Sequence, residues 1–142
     1  MKIRVVSSKD EIVQLNPKER VVHFVAPPTA LVLLELINRC PKLEAVQVHP
    51  SRFERLSEPS LCFLEVQGVK IFPGAIQGHR TDMYAYYTVD DGVILQRARE
   101  LRAEGLDPEE IVAKVAGELE VSPGLVEFIL GSRLKPSPLR RS

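Results

Sequence analysis

The stretch from Gly74 to Tyr87 gathers two glycines, His79, Arg80, Asp82 and all three tyrosines of the chain, Tyr84, Tyr86 and Tyr87. An imidazole beside a guanidinium and a carboxylate can hold an anion and move a proton near neutral pH. A second group of the same character, His49-Pro50-Ser51-Arg52, stands earlier in the chain. Arg52 and Arg80 offer planar forks suited to phosphate or carboxylate, and Ser51, Ser8 and Tyr84 offer hydroxyls to the same ligand. His49, His79 and Asp82 are the candidates for proton transfer. Ser7 or Ser51 could act as a nucleophile only if the fold brings it within hydrogen-bond reach of His79. A plainer reading stands beside this one. Arg80 can pair with Asp82, His79 can orient a loop, and the tyrosines can close the edge of a sheet with their hydroxyls toward water.

Several chemistries are excluded by what the chain lacks. There is no G-x-x-x-x-G-K-[ST] phosphate loop, no G-x-G-x-x-G turn, no H-E-x-x-H helix and no G-x-S-x-G elbow. No C-x-x-C occurs, and His and Cys are too scattered for a structural zinc site, so neither a metal nor a cofactor is expected. The charge balances, with 19 basic and 19 acidic residues in 142, which argues against a nucleic-acid coat or a binder of anionic membranes. No apolar run approaches the length of a membrane span, and the start, Met1 to Val6, lacks the apolar core of a signal peptide. A cytoplasmic protein with reduced cysteines is expected, with Cys62 buried inside Leu61-Cys62-Phe63-Leu64. Eleven prolines against two asparagines lean toward a warm environment.

The elements that must position these residues alternate. Strand-like runs at 3–6, 20–25, 43–48 and 69–72 are separated by helical segments. The first segment opens with a capping box, Ser8-Lys9-Asp10-Glu11, and runs to about Leu15. The second, Ala30 to Arg39 behind Thr29, is apolar almost all round and reads as buried. The third starts at Ser57-Glu58-Pro59 and ends near Gly68, with 49–53 left as loop. His23, mid-strand, reads as a satisfied core histidine. This is an α/β pattern: an open, mainly parallel sheet of about four strands with flanking helices. Residues 36–48 look like one leucine-rich repeat, but the unit occurs once, so an open sheet is preferred to a horseshoe. In open parallel sheets, ligands bind beyond the carboxyl ends of the strands. That edge collects Ser7 and Ser8, Thr29, His49 with Ser51 and Arg52, and His79 with Arg80 and Asp82.

Residues 90–131 read as a helical subdomain of three helices after an α/β domain of 1–89, with 132–142 as a flexible basic tail. The helices start at Asp90-Asp91-Gly92, Asp107-Pro108-Glu109-Glu110 and Ser122-Pro123, and the last ends at Gly131. The spacing of Val115, Ala116, Leu119, Val121, Val126 and Ile129 is similar to a helix-turn-helix unit, with Glu120 where such units usually carry Gly. Its reading helix would present Ser122, Pro123, Gly124, Glu127 and Phe128, none of them a cation or a base-reading amide. From Asp107 to Leu130 six carboxylates stand against Lys114 alone, a net charge of −5, which repels phosphate.

The opening Met1 to Ile12, the Leu15-Asn16-Pro17 turn, Cys40-Pro41-Lys42-Leu43-Glu44 and the Gly78-His79-Arg80-Thr81-Asp82 to Tyr86-Tyr87 block resemble an archaeal family of short uncharacterised proteins. The resemblance spans most of the chain. It implies an archaeal, intracellular protein of unknown function and assigns no role to any residue. Three functions remain open. The first is binding of an anionic small molecule at the carboxyl edge, with or without turnover. The second is a transcription-associated regulator with a helix-turn-helix-like part, although nucleic acid is the less favoured partner. The third is an interaction scaffold or homodimer using Phe128 and its apolar neighbours.

Overall fold

The computed structural model describes residues 1–75 and 86–134, which fall in two compact units, Met1–Val89 and Asp90–Ser142. His79, Arg80, Asp82 and Tyr84 lie outside the described residues.

The first unit runs β1 (Lys2–Val6), a 3-10 helix (Lys9–Gln14), β2 (Val21–Phe24), α1 (Ala30–Arg39), β3 (Ala45–Val48), α2 (Pro50–Phe53), α3 (Glu58–Val66), β4 (Lys70–Pro73) and β5 (Tyr86–Thr88). The sheet order is β4-β3-β2-β1-β5. The four expected strands are parallel, and β5 adds a fifth, antiparallel to β1, with Tyr87 opposite Ile3. From β1 to β4 each connection steps the same way. Right-handed crossovers that step one way place every connecting helix on one face. That face carries Val6, Val22, Phe24, Val46 and Val48, which pack with Ile12, Leu15, Leu33, Leu36 and Leu64 in one cluster. Fully burying each such side chain contributes roughly 1.5–3 kcal/mol.

A single helix layer explains two departures from expectation. Helix α1 is buried only along Val32, Leu33 and Leu36; Leu31 is 67 % and Leu34 40 % exposed, because among the described residues nothing in the unit forms a second layer outside it. Cys62, expected inside, is exposed on α3. At 3.6 residues per turn, only Ser60 and Leu64 of that helix are buried, and Cys62 falls on the far side. The segment after β1 is a 3-10 helix rather than an α-helix, and the expected loop at 50–53 is the short helix α2.

The second unit holds α4 (Asp91–Ala103), α5 (Pro108–Leu119) and α6 (Pro123–Leu134), each in contact with the other two. Leu101, Ile111, Val115, Leu125, Val126 and Ile129 are buried. Helix α5 begins as its sequence dictates. Asp107 Oδ1 accepts from the Glu110 N–H at 2.9 Å, and Glu110 Oε1 accepts from the Asp107 N–H at 3.0 Å. It ends at Glu120, which takes the left-handed conformation (φ 55°, ψ 44°) that glycine adopts more cheaply. Helix α6 continues past Gly131 to Leu134. Gly131 is not among the glycines with positive φ, and a glycine costs a helix about 1 kcal/mol without ending it.

Candidate functional site

Parallel strands end at one edge, so the helices that follow them begin there. Helices α1 and α3 are neighbours, and both start at this edge. Between their starts lies a cleft of about 440 Å³. Residues 27–30 form one wall, and Arg52, Arg55, Leu56, Ser57 and Ser60 form the other.

The cleft is rich in unspent donors. At α1, Thr29 Oγ1 accepts from the Val32 N–H at 3.3 Å, while the Ala30 and Leu31 N–H groups make no hydrogen bond among the described residues. The Arg52 and Arg55 guanidinium groups likewise form no ion pair or hydrogen bond there. They sit three residues apart, on one side of a helical turn. At α3, the Ser60 N–H donates to Ser57 Oγ at 3.2 Å, and the Ser57 hydroxyl donates to Ser60 Oγ at 2.9 Å. Whichever way the hydroxyl pair is oriented, one of its protons has no acceptor among the described residues. Ser60 is only 2 % exposed. Among the described residues no Asp or Glu lines the cleft.

Of the residues singled out from sequence, Arg52 lies in the cleft. His49 and Ser51 are adjacent but line no part of it. His49 Nδ1 accepts from the Ser51 N–H at 3.2 Å and lies 2.9 Å from Ser51 Oγ, so the ring caps α2. A serine on an imidazole is half of a nucleophile–base pair. However, both residues are exposed, and no third group orients the ring among the described residues. Ser8 is not in the cleft. Its N–H and that of Ser7 donate to the Glu11 carboxylate at 3.1 and 3.0 Å, with Arg4 3.7 Å away. The chain's own carboxylate fills the place an anion would take after β1.

Arg55 and the Ser57–Ser60 pair were not singled out as binding residues, although the Arg-x-x-Arg spacing was there to read. A buried polar chain was also missed. Strand register sets His23 beside Gln47. Gln47 Nε2 donates to His23 Nδ1 and to the Tyr87 hydroxyl, both at 2.9 Å. Burial lowers the His23 pKa to about 4, His49 adding to the effect, and burial pushes Tyr87 up to about 12. The chain is therefore neutral at ordinary pH, and His23 is the satisfied core histidine its position suggests. Tyr86, on the other face, donates to the buried Glu19 carboxylate, with Lys2 and Arg4 over its ring at 5.8 and 5.9 Å. These two tyrosines lie on the edge strand, but their hydroxyls bond to Gln47 and Glu19 rather than turning to water.

In the helical unit, a depression of about 390 Å³ runs along α4 past Asp90, Gln96 and Arg97. Its cation is already taken, because Arg97 donates to both carboxylate oxygens of Glu118 (2.7 and 3.1 Å) and to Glu100 (3.0 Å). Those bonds hold both carboxyl groups below the usual range. On α6, Pro123 and Glu127 are exposed, and Gly124 and Phe128 are half-buried. No helix among the described residues is long and apolar enough to cross a membrane.

The N-terminal-domain model of a family of unknown function, DUF1699, matches residues 2–85, and the model of that family's C-terminal HTH domain matches residues 93–131. No curated protein and no solved structure matches the chain. The three-helix unit, with its tight left-handed turn at Glu120, agrees with the second match. The chain belongs to the DUF1699 family, whose members pair an N-terminal domain of unknown function with a C-terminal helix-turn-helix domain.

Proposed function

We propose that the α/β unit binds an anionic small molecule in the cleft between the starts of α1 and α3. The observation that carries this reading is the pair of unpaired guanidinium groups, Arg52 and Arg55, facing the open N-terminus of α1. Helix N-termini and unpaired arginines both favour negative charge. Among the described residues no carboxylate lines the cleft, which suits it to holding an anion. The helix-turn-helix domain then serves as a docking or dimerisation element. A thermal-shift screen with phosphorylated and carboxylated metabolites tests the reading. Ligands should raise the melting temperature of the wild type and not that of Arg52→Ala/Arg55→Ala. If no ligand separates the two proteins, the reading fails. Arg80→Ala, run beside them, measures whether the Gly74–Tyr87 stretch contributes.

The HTH description of residues 93–131 favours a second reading, a transcription-associated regulator. Binding to duplex DNA should then weaken steeply with salt. The acidic balance of α5 and α6 opposes it, and absence of binding at low salt would eliminate it.

A further inference from the structure

We infer, resting on the anion-binding reading of the cleft, that its ligand carries a dianionic phosphate monoester held without a divalent cation. The donors come from three elements: the Ala30 N–H of α1, the guanidinium groups on and just after α2, and the Ser57–Ser60 hydroxyl pair at α3. A planar carboxylate has two oxygens in one plane and is satisfied by a single guanidinium fork. A phosphate monoester has three terminal oxygens pointing to three sides, which matches donors approaching from three elements. The charge matches too, with two unpaired cations for an anion of charge close to −2. Metal-assisted phosphate sites usually hold the ion through one or two carboxylates, and among the described residues the lining has none. The buried Ser60 supplies an observation independent of the arginines. A hydroxyl pair with a surplus proton, at a cleft wall and 2 % exposed at its inner member, has no further acceptor among the described residues, and a phosphate oxygen would provide one. Pro27 and Pro28 on one wall and Leu56 on the other add apolar surface, suited to the uncharged body of the ester.

The test is calorimetric titration of the full chain with methyl phosphate, acetate and citrate, at pH 5 and pH 8, with and without EDTA. The arginines keep their charge in this range, and the pH series is repeated in His49→Gln, so that the dependence that remains belongs to the ligand. A phosphate monoester gains its second charge near pH 6, and binding of the dianion alone should therefore be about tenfold tighter at pH 8 than at pH 5. Methyl phosphate should bind at least about tenfold tighter than acetate or citrate, unaffected by EDTA. Each of Arg52→Gln and Arg55→Gln should weaken it about tenfold, as loss of a charge-assisted hydrogen bond does. Both side chains are at least partly exposed, so the variants should melt like the wild type without ligand. If citrate or acetate binds as tightly as methyl phosphate, the phosphate inference is overturned and the anion-binding reading survives. Loss of binding in EDTA overturns the metal-free part. If none of the three anions binds, both readings fall.

Discussion

The buried histidine on β2 makes acid stability a sharp test of the polar chain across the sheet. His23 has a pKa of about 4 in the folded protein against an ordinary value of 6.5. A group whose folded pKa is depressed in this way favours its neutral form in the native state. Between these two values the unfolded chain binds the extra proton, so stability falls as pH falls through that window. The contribution is complete above pH 6.5 and is lost on approaching pH 4. At about 1.36 kcal/mol per pH unit, the loss comes to about 3 kcal/mol, a large part of an ordinary domain's stability. The hydrogen bond from Gln47 is not the main term. Turning the Gln47 amide over would present Oε1 to a protonated Nδ1, so that bond can be remade. Desolvation of the charge, with His49 nearby, cannot be recovered by any rotation. The perturbation is His23→Gln, which keeps an acceptor for Gln47 and does not titrate. Urea unfolding, followed by resonances of the sheet unit, should give a stability difference between wild type and variant that changes by about 3 kcal/mol from pH 6.5 to pH 4. Carboxylates titrate alike in both proteins and cancel. A difference that stays flat over this window, or His23 ring protons that titrate near 6.5, would refute the reasoning.

Other expectations concern single elements. Glu120→Gly removes the cost of holding an L-residue in the left-handed region and should raise the stability of the helical unit by about 1 kcal/mol in thermal unfolding; a decrease would mean that the side chain contributes more than the backbone costs. Leu33→Ala empties the centre of the helix-covered face and should cost about 3 kcal/mol by urea titration, a loss under 1 kcal/mol contradicting the packing described. A thiol reagent should modify Cys62 at once in the native protein and Cys40 only after denaturation, since Cys40 is fully buried.

The architecture was legible where a local rule and the hydrophobic pattern agreed. Thr29, Ser57, Asp90 and Asp107 each cap the helix that follows, and each start was readable from a small polar residue before an apolar run. The four parallel strands followed from alternation with those helices. What was not legible depends on non-local facts. Exposure of Leu31 and Cys62 follows from all connecting helices lying in one layer, which strand order decides and sequence does not state. Strand β5 has three residues, with no periodicity of its own, and is defined only by its pairing with β1. The partnership of Gln47 with His23 and Tyr87 depends on register across the sheet. Arg52 and Ser8 both lie at the carboxyl edge; Arg52 lines the cleft, whereas the Ser8 N–H donates to the protein's own Glu11. The capping box read at Ser8–Glu11 already implied that contact, because its Glu accepts from the N-cap N–H.

The strand order also changes what makes the cleft. A doubly wound sheet opens a crevice where the order reverses and adjacent loops part to opposite faces. Here β1 to β4 step one way, so their loops all turn to the same face and no such crevice arises. The inserted turn, α2, does the separating. It occupies the stretch between β3 and α3, and sets Arg52 and Arg55 across from residues 27–30. A four-residue helix has little stability of its own, and this one is held at its start by His49 and Ser51. The imidazole that sequence suggested as a proton carrier thus has a mechanical consequence for Arg52, the arginine of the same short helix. His49→Ala should weaken anion binding several-fold although it removes no group from the cleft. The effect should shrink in an Arg52→Gln background, because both changes act through the same guanidinium. Fully additive losses would show that His49 does not position Arg52, and would return it to the list of groups that touch the ligand directly.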